Sequence, residues 1–370
     1  MKLGVIGYGS RIQHVINEMI KIDPTCNVSA IVDPQSQMIQ EKHQQQVKDT
    51  AFYGTPEEML ASASLNGILI GTRCHLHTEM AVKVLPTRIP LFLEKPVATS
   101  MEDLLRLKAS ADKTNAPVTV SFPLRVSMIV QLVKEIVDSG KIGTIEHVQA
   151  VNNVPYGSVY YHNWYRDEKL TGGLFLQKAT HDFDYINHVL QLAPISVCAM
   201  TSKQIYKGDK PAGLKCVDCT ENKTCPDSHA FDESSQCVFG TDTGNEDSGS
   251  ALVYYDSGMH VSYSQNFYAR KGAAARGARF LGYKGTVEFD FYTETVKVFM
   301  HHTQRVETYE IKSDASHFGG DMVLARNFIE VMQGTNTSIS PIEGGLLSAL
   351  QCLKAKQSAE TRTFQNISWD

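Results

Sequence analysis

The stretch GGLFLQKATHDFDY, which begins at Gly172, places polar side chains on one face of a predicted helix. At the spacings i, i+4 and i+7 these side chains are Gln177, His181 and Asp184. An imidazole beside an amide and a carboxylate, as His181 would be, can exchange a proton near neutral pH. Lys178 and Asp182 share a neighbouring face and can simply pair, so a half-exposed helix with a surface ion pair is the alternative.

A second candidate for proton transfer is Lys95, in the run PLFLEKP. It directly follows a predicted buried strand, where access to water is limited and burial lowers a lysine pKa from about 10.4 by up to a few units. Such a lysine can exchange a proton with a hydroxyl or carbonyl of a substrate. The alternative is a structural ion pair with Glu94 or another acid.

The N-terminal run KLGVIGYGSRIQHVINEMI predicts a buried strand, a glycine turn and an amphipathic helix. Gly7 and Gly9 fit the first two positions of a dinucleotide-binding fingerprint, where the backbone approaches a pyrophosphate at a helix N-terminus. Ile12 replaces the third glycine and is expected to push the helix away from the strand.

A second predicted strand, VSAIVD, ends at Asp33, 24 residues after Gly9. At this position a carboxylate accepts hydrogen bonds from an adenosine ribose and repels a 2′-phosphate. Residues 34–37 offer no arginine to hold such a phosphate. NAD is therefore favoured over NADP, and a simple turn acid is the alternative for Asp33.

Strands and helices alternate through residues 1–122, which predicts a doubly wound parallel sheet in an NAD-binding Rossmann domain. Ligands of such sheets lie beyond the carboxyl ends of the strands. The predicted cofactor-binding residues at those ends are Gly7, Tyr8, Gly9, Ser10, Arg11, Ile12, Asp33, Thr72, Arg73, His75, His77, Glu94 and Lys95.

Length and composition indicate a globular enzyme rather than a nucleic-acid or membrane protein. A chain of 370 residues exceeds one ordinary core and favours two domains. The net charge of −5 gives no basic footprint for nucleic acid or anionic membrane. With no long apolar run in the first twenty residues and none approaching the ~20 residues of a membrane span, we expect a cytoplasmic protein.

Four of the eight cysteines fall within 22 residues, in a polar stretch at about 207–249. They are Cys216, Cys219, Cys225 and Cys237. Their spacing is compatible with a structural zinc site, in which His229 can replace one thiol. Reduced thiols without a metal are the equal alternative, and disulfides are a third.

Runs from both halves of the chain resemble the Gfo/Idh/MocA oxidoreductases, which are named for glucose–fructose oxidoreductase, inositol dehydrogenase and a rhizopine catabolism protein. The matching runs are VIGYGSRI, GILIGTRCHLHTEMAVKVL, LFLEKPVA, LRVSMIVQLVKEIVDSGKIGTIEHVQAV, GGLFLQKATHDFDYINHVL and SHFGGDMVLARNFIEVM. The resemblance implies an α/β fold, with a Rossmann domain followed at 123–370 by an α/β domain built on a large, mostly antiparallel open sheet. One face of that sheet usually forms a dimer or tetramer interface, so a homodimer or homotetramer is expected.

The resemblance also assigns roles to the first two candidates. Family members commonly carry an Asp four residues before a His, and these two with the Glu-Lys-Pro lysine form the proton-transfer group. His181 matches the His and Lys95 the lysine, whereas Gln177 occupies the Asp position and cannot accept a proton. The amide of Gln177 can still bind, by hydrogen bonding, His181 or a substrate hydroxyl. The departure transfers the chemistry to Lys95 and His181, with Asp184 as the candidate to orient the imidazole.

Further site residues follow from the same resemblance. Arg125 is expected near the nicotinamide, and Trp164 and Arg166 near cofactor or substrate; an aromatic anchor and a solvated arginine are the alternatives for the last two. His317 and Asp321, in SHFGGD, are candidates for substrate binding, although Asp321 can merely cap a helix.

The sequence thus favours an NAD-dependent oxidoreductase that transfers a hydride between the nicotinamide and a secondary hydroxyl of a sugar, cyclitol or related polyol. Two other hypotheses remain open. One is a glycoside hydrolase of the same fold that uses transient oxidation of a sugar ring, and the other is a non-catalytic sugar- or nucleotide-sensing relative.

Overall fold

A computed structural model describes residues 1–313 and 315–369. The chain forms two compact units. The first comprises Met1–Met128 and Ser313–Leu350, and the second Ile129–Lys312 and Gln351–Asp370. The C-terminal segment therefore returns to complete the first unit before the chain ends in the second.

The strands are β1 (Lys2–Ile6), β2 (Asn27–Val32), β3 (Ala51–Tyr53), β4 (Gly67–Ile70), β5 (Leu91–Leu93), β6 (Val118–Val120), β7 (Ile145–Asn153), β8 (Pro194–Ser202), β9 (Ser248–Tyr255), β10 (His260–Asn266), β11 (Ala275–Gly282), β12 (Gly285–Asp290), β13 (Thr295–Met300), β14 (Val306–Glu310) and β15 (Gln365–Asn366).

The helices are α1 (Ser10–Ile22), α2 (Ser36–Lys42), α3 (Pro56–Ser62), α4 (His77–Val84), α5 (Met101–Thr114), α6 (Met128–Asp138), α7 (Val159–His162), α8 (Glu168–Thr171), α9 (Leu174–Leu190), α10 (Gly320–Met332) and α11 (Ile342–Thr361). In the described part of the chain, no helix has both the length and the apolar composition of a membrane span.

The first unit contains a six-stranded parallel sheet in the order β3-β2-β1-β4-β5-β6. Its central strands are fully buried, which explains their continuous apolar runs. Helix α10 packs on α1, and Phe328 joins the buried Ile12 and Val15 in one core. The predicted Rossmann sheet is confirmed.

The second unit contains a nine-stranded, mostly antiparallel sheet in the order β14-β13-β12-β11-β7-β10-β9-β8-β15, in which β7 and β10 are parallel. Side chains alternate along its strands: in β9, Val253 is buried and Leu252 is exposed. Helix α9 covers one face, where Phe175 and Phe183 contact Tyr263 of β10. The predicted second sheet is confirmed as well.

Ile12, which replaces the third glycine of the turn motif, is accommodated by a glycine elsewhere. Ile12 is fully buried, and a Cβ added to Gly71 would overlap its Cγ1. Gly71 directly follows β4, the strand beside β1. The space that the helix glycine normally provides is supplied here from the strand side, so the isoleucine fills the interface instead of opening it.

We expect Gly71→Ala to lower the free energy of unfolding by about 1–3 kcal/mol, because the added methyl overpacks the Ile12 contact. The change should be much smaller when Ile12 is also replaced by Ala, since the two substitutions are in contact and couple. Urea unfolding of the parent, both single variants and the double variant measures this coupling.

Gly272→Ala is the matched control, because a Cβ there meets open space. It should change stability by less than about 0.5 kcal/mol. If Gly71→Ala were equally costly with Ala at position 12, the proposed overlap would not be its cause.

Candidate functional site

At the glycine turn of the first unit, the backbone of Gly7 lies against the backbone of Gly71 and Thr72. Gly7 has a φ of +83°, and a Cβ there would lie 2.7 Å from the backbone nitrogen of Thr72. Its own N–H donates to Val32 O at 2.9 Å, and Gly9 directly precedes α1. The first backbone N–H groups of α1 lack carbonyl partners within the helix, which suits a pyrophosphate. The turn therefore fits a dinucleotide.

Asp33 is anchored at the end of β2 by the same turn. One carboxylate oxygen accepts a hydrogen bond from Tyr8 N and the other from Gln35 N, both at 2.8 Å. Each oxygen keeps a further lone pair, so the carboxylate can also accept from ribose hydroxyls. A turn acid and a ribose ligand are thus compatible descriptions of Asp33.

His77 connects two of the loops that carry predicted cofactor residues. It is buried, with Nδ1 2.8 Å from Pro96 O and Nε2 3.1 Å from Thr72 O, and burial lowers its pKa. The loop after β4 is thereby tied to the Lys95-Pro96 peptide, which is cis. The remaining predicted residues of the β4 loop are Thr72, Arg73 and His75.

Arg11 is the centre of a polar network at the carboxyl ends of the strands. Its guanidinium donates to Glu94 Oε1 at 3.1 Å, to Asp321 Oδ1 at 2.6 Å and to Ser121 Oγ at 3.1 Å. Glu94 directly precedes the half-buried Lys95 in the chain. The hydrogen bond from Arg11 to Glu94 therefore restrains the loop that carries Lys95. Arg11, predicted as a cofactor ligand, is thus also a brace for that loop.

Asp321 accepts hydrogen bonds from Arg11 through Oδ1 and lies close to two histidines through Oδ2. Its Oδ2 lies 2.8 Å from His317 Nδ1 and 3.2 Å from His14 Nε2. Burial alone would raise the pKa of Asp321, but hydrogen bonds from His317 and Arg11 outweigh it and hold that pKa well below its usual range. Asp321 is therefore a buried anion that joins the start of α10 to α1.

Arg125 is buried after β6 within the same unit. Its Nη1 donates to Ile339 O at 3.3 Å, and a Cβ on Gly344 would lie 2.5 Å from Nη2. The side chain packs against the C-terminal segment that returns to the first unit. Its predicted role near the nicotinamide stays a prediction.

Helix α9 of the second unit carries the opening motif, and it is buried along most of its length. Gly172 and Gly173, with φ of +77° and +101°, precede the helix, and Glu246 accepts a hydrogen bond from Phe175 N. The half-exposed helix considered from the sequence is therefore wrong. A helix this deeply packed needs partners for each polar side chain.

Gln177, at the position of the family Asp, uses its amide as a donor. It is 1% exposed, and its Nε2 donates to Thr171 O at 2.6 Å. A carboxylate cannot donate a hydrogen bond to a carbonyl. Glutamine, unlike aspartate, can therefore satisfy the Thr171 carbonyl. His181, which is half-buried, and Asp184, which is buried, lie on the same helix.

The surface ion pair considered between Lys178 and Asp182 is also wrong. Asp182 is fully buried and pairs with Arg276 of β11, whose Nε and Nη2 lie 2.9 and 2.8 Å from Oδ1. Lys178 is 8% exposed and donates to the phenol oxygen of Tyr156 at 3.0 Å. The partners come from distant strands and loops, so helical spacing gave no signal for them.

Two further predicted residues lie in the segment before α9. Arg166 is 5% exposed, donates to Tyr161 O at 3.0 Å and pairs with Asp242, so it is not the solvated arginine considered as the alternative. Trp164 stacks on Tyr165 with ring centroids 3.8 Å apart. Their roles toward cofactor or substrate stay predictions.

The cysteine-rich segment does not support the predicted zinc site. Cys216, Cys219, Cys225 and Cys237 are free thiols, and in residues 1–313 and 315–369 no three Cys, His, Asp or Glu side chains are grouped to hold a metal ion. Cys216 Sγ instead lies 3.6 Å from Gln236 O, and the ring of His229 stacks on that of His162. The zinc prediction is therefore not supported within the described residues.

Comparison with known proteins identifies the same two-part organisation. The model of the GFO/IDH/MocA oxidoreductase family's NAD-binding Rossmann domain matches residues 1–122, and that of the GFO/IDH/MocA C-terminal domain matches residues 130–288. Both units thus contain a domain of this family.

Individual relatives are distant. The chain is 28% identical to the Bacillus subtilis oxidoreductase YteT over 72% of this chain and 73% of that protein. It is 24% identical to a Thermotoga maritima myo-inositol 2-dehydrogenase over 51% of this chain and 55% of that protein. A levoglucosan dehydrogenase, solved with NADH and levoglucosan, superimposes with a TM-score of 0.80 at 14% identity and covers 99% of both chains, which shows a shared fold.

We expect Asp321→Asn to lower the free energy of unfolding by about 2–4 kcal/mol near neutral pH, because Arg11 and two histidines lose their common buried anion. The folded-state pKa of Asp321 is depressed, so its stabilisation is present above the unfolded pKa of about 4 and is lost as the pH falls below that value. Denaturant unfolding of parent and variant between about pH 7 and pH 3 should show the gap closing in acid.

Asp138→Asn serves as the control, because Asp138 is an exposed acid whose partner is Lys134 one turn away. It should cost no more than about 0.5 kcal/mol at any pH. A gap for Asp321→Asn that stayed constant down to pH 3 would show that its carboxylate is not held ionised.

Proposed function

We propose a function for this chain from the premise that it belongs to the GFO/IDH/MocA oxidoreductase family: it is an NAD-dependent dehydrogenase or reductase of a sugar, cyclitol or related polyol. The observation that carries the cofactor preference is the anchored Asp33 beside the Gly7 turn, since its charge opposes a 2′-phosphate. The substrate class rests on relatives such as the myo-inositol 2-dehydrogenase.

Two side chains of this chain would handle the proton. When bound, NAD supplies the hydride acceptor at its nicotinamide. Lys95 takes the proton from the substrate hydroxyl as the carbonyl forms, and returns it in the reverse direction. His181 relays that proton or orients the group that carries it, and Gln177 places a neutral amide where the family usually carries a carboxylate.

The test is a panel of polyols, sugars and glycosides, with NAD or NADP and absorbance of the reduced nicotinamide as readout. We expect NADH to form with at least one polyol or sugar, and more slowly with NADP. Lys95→Ala and His181→Ala should each lower kcat/KM by about 10²- to 10⁴-fold, the usual share of general acid–base catalysis. Binding of NAD, followed by fluorescence, should be retained by His181→Ala, because His181 is not among the predicted cofactor-binding residues.

Lys113→Ala and His302→Ala are the matched controls, because both residues are exposed and carry no proposed role. Catalytic variants that matched the parent on an active substrate would refute the assignment of Lys95 and His181. Release of sugar from a glycoside without net NADH would favour the glycoside hydrolase hypothesis. Binding of NAD without turnover of any compound would favour the sensing hypothesis.

We also propose that the chain assembles through the open face of the nine-stranded sheet, the face opposite α9. Exposed apolar side chains line it, including Met200 at 75% and Leu252 at 52% exposure. They border a broad depression of about 890 Å³. An apolar sheet face of this kind is a candidate for pairing with a second copy.

Leu252→Arg should therefore yield monomers, because a buried, unpaired charge would be placed at the interface. Light scattering after size-exclusion chromatography measures the mass. Leu105→Arg is the control: Leu105 is 40% exposed on α5, in the other unit, and its replacement should leave the assembly intact. An unchanged mass for Leu252→Arg, or a monomeric parent, would disprove this interface.

A further inference from the structure

The two backbone carbonyls that follow Lys95 are held by the first turn of α4. Pro96 O lies 2.8 Å from Nδ1 of His77, and Val97 O accepts a hydrogen bond from Thr78 Oγ1 at 3.0 Å. His77 and Thr78 are 2% and 1% exposed, whereas Lys95 is half-buried. The lysine therefore lies on a stretch of backbone whose next two carbonyls are fixed beneath the surface.

The second ring nitrogen of His77 reaches the loop after β4. Nε2 lies 3.1 Å from Thr72 O, and the backbone of Thr72 lies against Gly7, since a Cβ added there would be 2.7 Å from Thr72 N. Gly7 belongs to the turn that fits a dinucleotide. One buried imidazole is thus in contact both with the loop that borders the cofactor turn and with the backbone next to Lys95.

The two carbonyls compete for the protons of this ring. A ring nitrogen forms a hydrogen bond with a carbonyl oxygen only when it carries a proton, and a neutral imidazole has one N–H whereas the imidazolium has two. Burial lowers the pKa of His77, and the charge of Lys95 acts in the same direction, while Glu94 acts in the opposite one. In either protonation state both loops meet at this ring, so their positions are coupled through it.

We propose that His77 is a positioning residue that sets Lys95 and the cofactor loop in place together. Its Nδ1 acts on Lys95 through Pro96 O, and its Nε2 acts on NAD through Thr72 O. Thr78, through the next carbonyl, supports the Lys95 side. Because both ring nitrogens face backbone carbonyls, His77 needs no contact with NAD or substrate. The catalytic role of Lys95 is that of the proposed function, so the positioning role rests on it and deepens it.

Two substitutions separate the two contacts of His77, because a side-chain amide can replace either nitrogen of the ring as a donor. The Nδ2 atom of an asparagine takes the place of histidine Nδ1, so His77→Asn keeps the donor to Pro96 O and loses the contact with Thr72 O. The Nε2 atom of a glutamine takes the place of histidine Nε2, so His77→Gln keeps the contact with Thr72 O and loses the one with Pro96 O.

Two readouts need no turnover: the dissociation constant of NAD, followed by fluorescence, and the rate at which acetic anhydride acetylates Lys95, measured by mass spectrometry relative to the exposed Lys113. We expect His77→Asn to weaken NAD binding by about 3- to 10-fold and to leave the acetylation of Lys95 within about 2-fold of the parent. His77→Gln should accelerate acetylation at least about 3-fold, because the freed loop opens more often, and should leave NAD binding within about 2-fold.

Kinetics on a compound that reduces NAD should divide in the same way. His77→Asn should raise the KM for NAD. His77→Gln should lower kcat by about 10- to 100-fold, because a displacement of a reacting group by about 1 Å can cost that much.

Thr119→Val is the matched control for the loss of a buried hydrogen bond, since Thr119 is fully buried in β6 with its Oγ1 3.0 Å from Ser338 Oγ. It should lower stability and leave both readouts unchanged. Should neither His77 variant fold by circular dichroism, Thr78→Val decides the matter: it must accelerate the acetylation of Lys95 and leave NAD binding as in the parent.

Parallel changes of both readouts in His77→Asn and His77→Gln, as a purely structural histidine would give, would overturn the positioning role. So would unchanged readouts in both, or unchanged acetylation of Lys95 in a folded Thr78→Val. Failure of the oxidoreductase function would look different. In that case no compound would reduce NAD, while the opposite effects of the two His77 variants on NAD binding and on acetylation would persist.

Discussion

One buried carboxylate, that of Asp182, fixes helix α9 on the second sheet. Its Oδ1 accepts two hydrogen bonds from Arg276 of β11, and its Oδ2 accepts one from Asn152 of β7 and one from Tyr263 of β10. An uncompensated charge at this depth would cost several kcal/mol, so the helix cannot rotate without losing all four bonds at once. The rotational setting of α9 thereby determines where Lys178 and His181, its neighbours on the helix, project.

The long-range contacts of Asp182 illustrate which features of the structure could be predicted from the sequence and which could not. The Rossmann sheet, the Gly7 turn and Asp33 depend on local patterns, namely buried runs, turn glycines and the end of a strand, and these are visible in short windows. Asp182 and Arg276 are 94 residues apart in the chain, and Arg11 and Asp321 are 310 residues apart. Pairing over such distances is set by topology, so a lysine at i−4 of Asp182 looked like its natural partner and was not.

The zinc prediction for the cysteine-rich segment and the expected displacement of the helix by Ile12 were not supported for a related reason. Spacing indicates which ligands can reach a metal, but the fold decides where they point, and here Cys216 is turned toward Gln236 O. The departure at Ile12 is harmless only because Gly71, on a different strand, leaves room for it. A prediction made from one motif does not include the effect of a compensating residue, such as Gly71, that lies outside the motif.

Two neighbouring polar side chains of α9, Gln177 and Lys178, find partners that helical spacing does not indicate. Gln177 places a neutral amide where the family usually carries a carboxylate, and Lys178 on the adjacent position donates to a tyrosine rather than to an acid. Because Thr171 O accepts a hydrogen bond from Gln177, and the phenol of Tyr156 accepts one from Lys178, both side chains are part of the packing beneath the surface, and the helix tolerates polar residues at buried positions only where the fold supplies such partners.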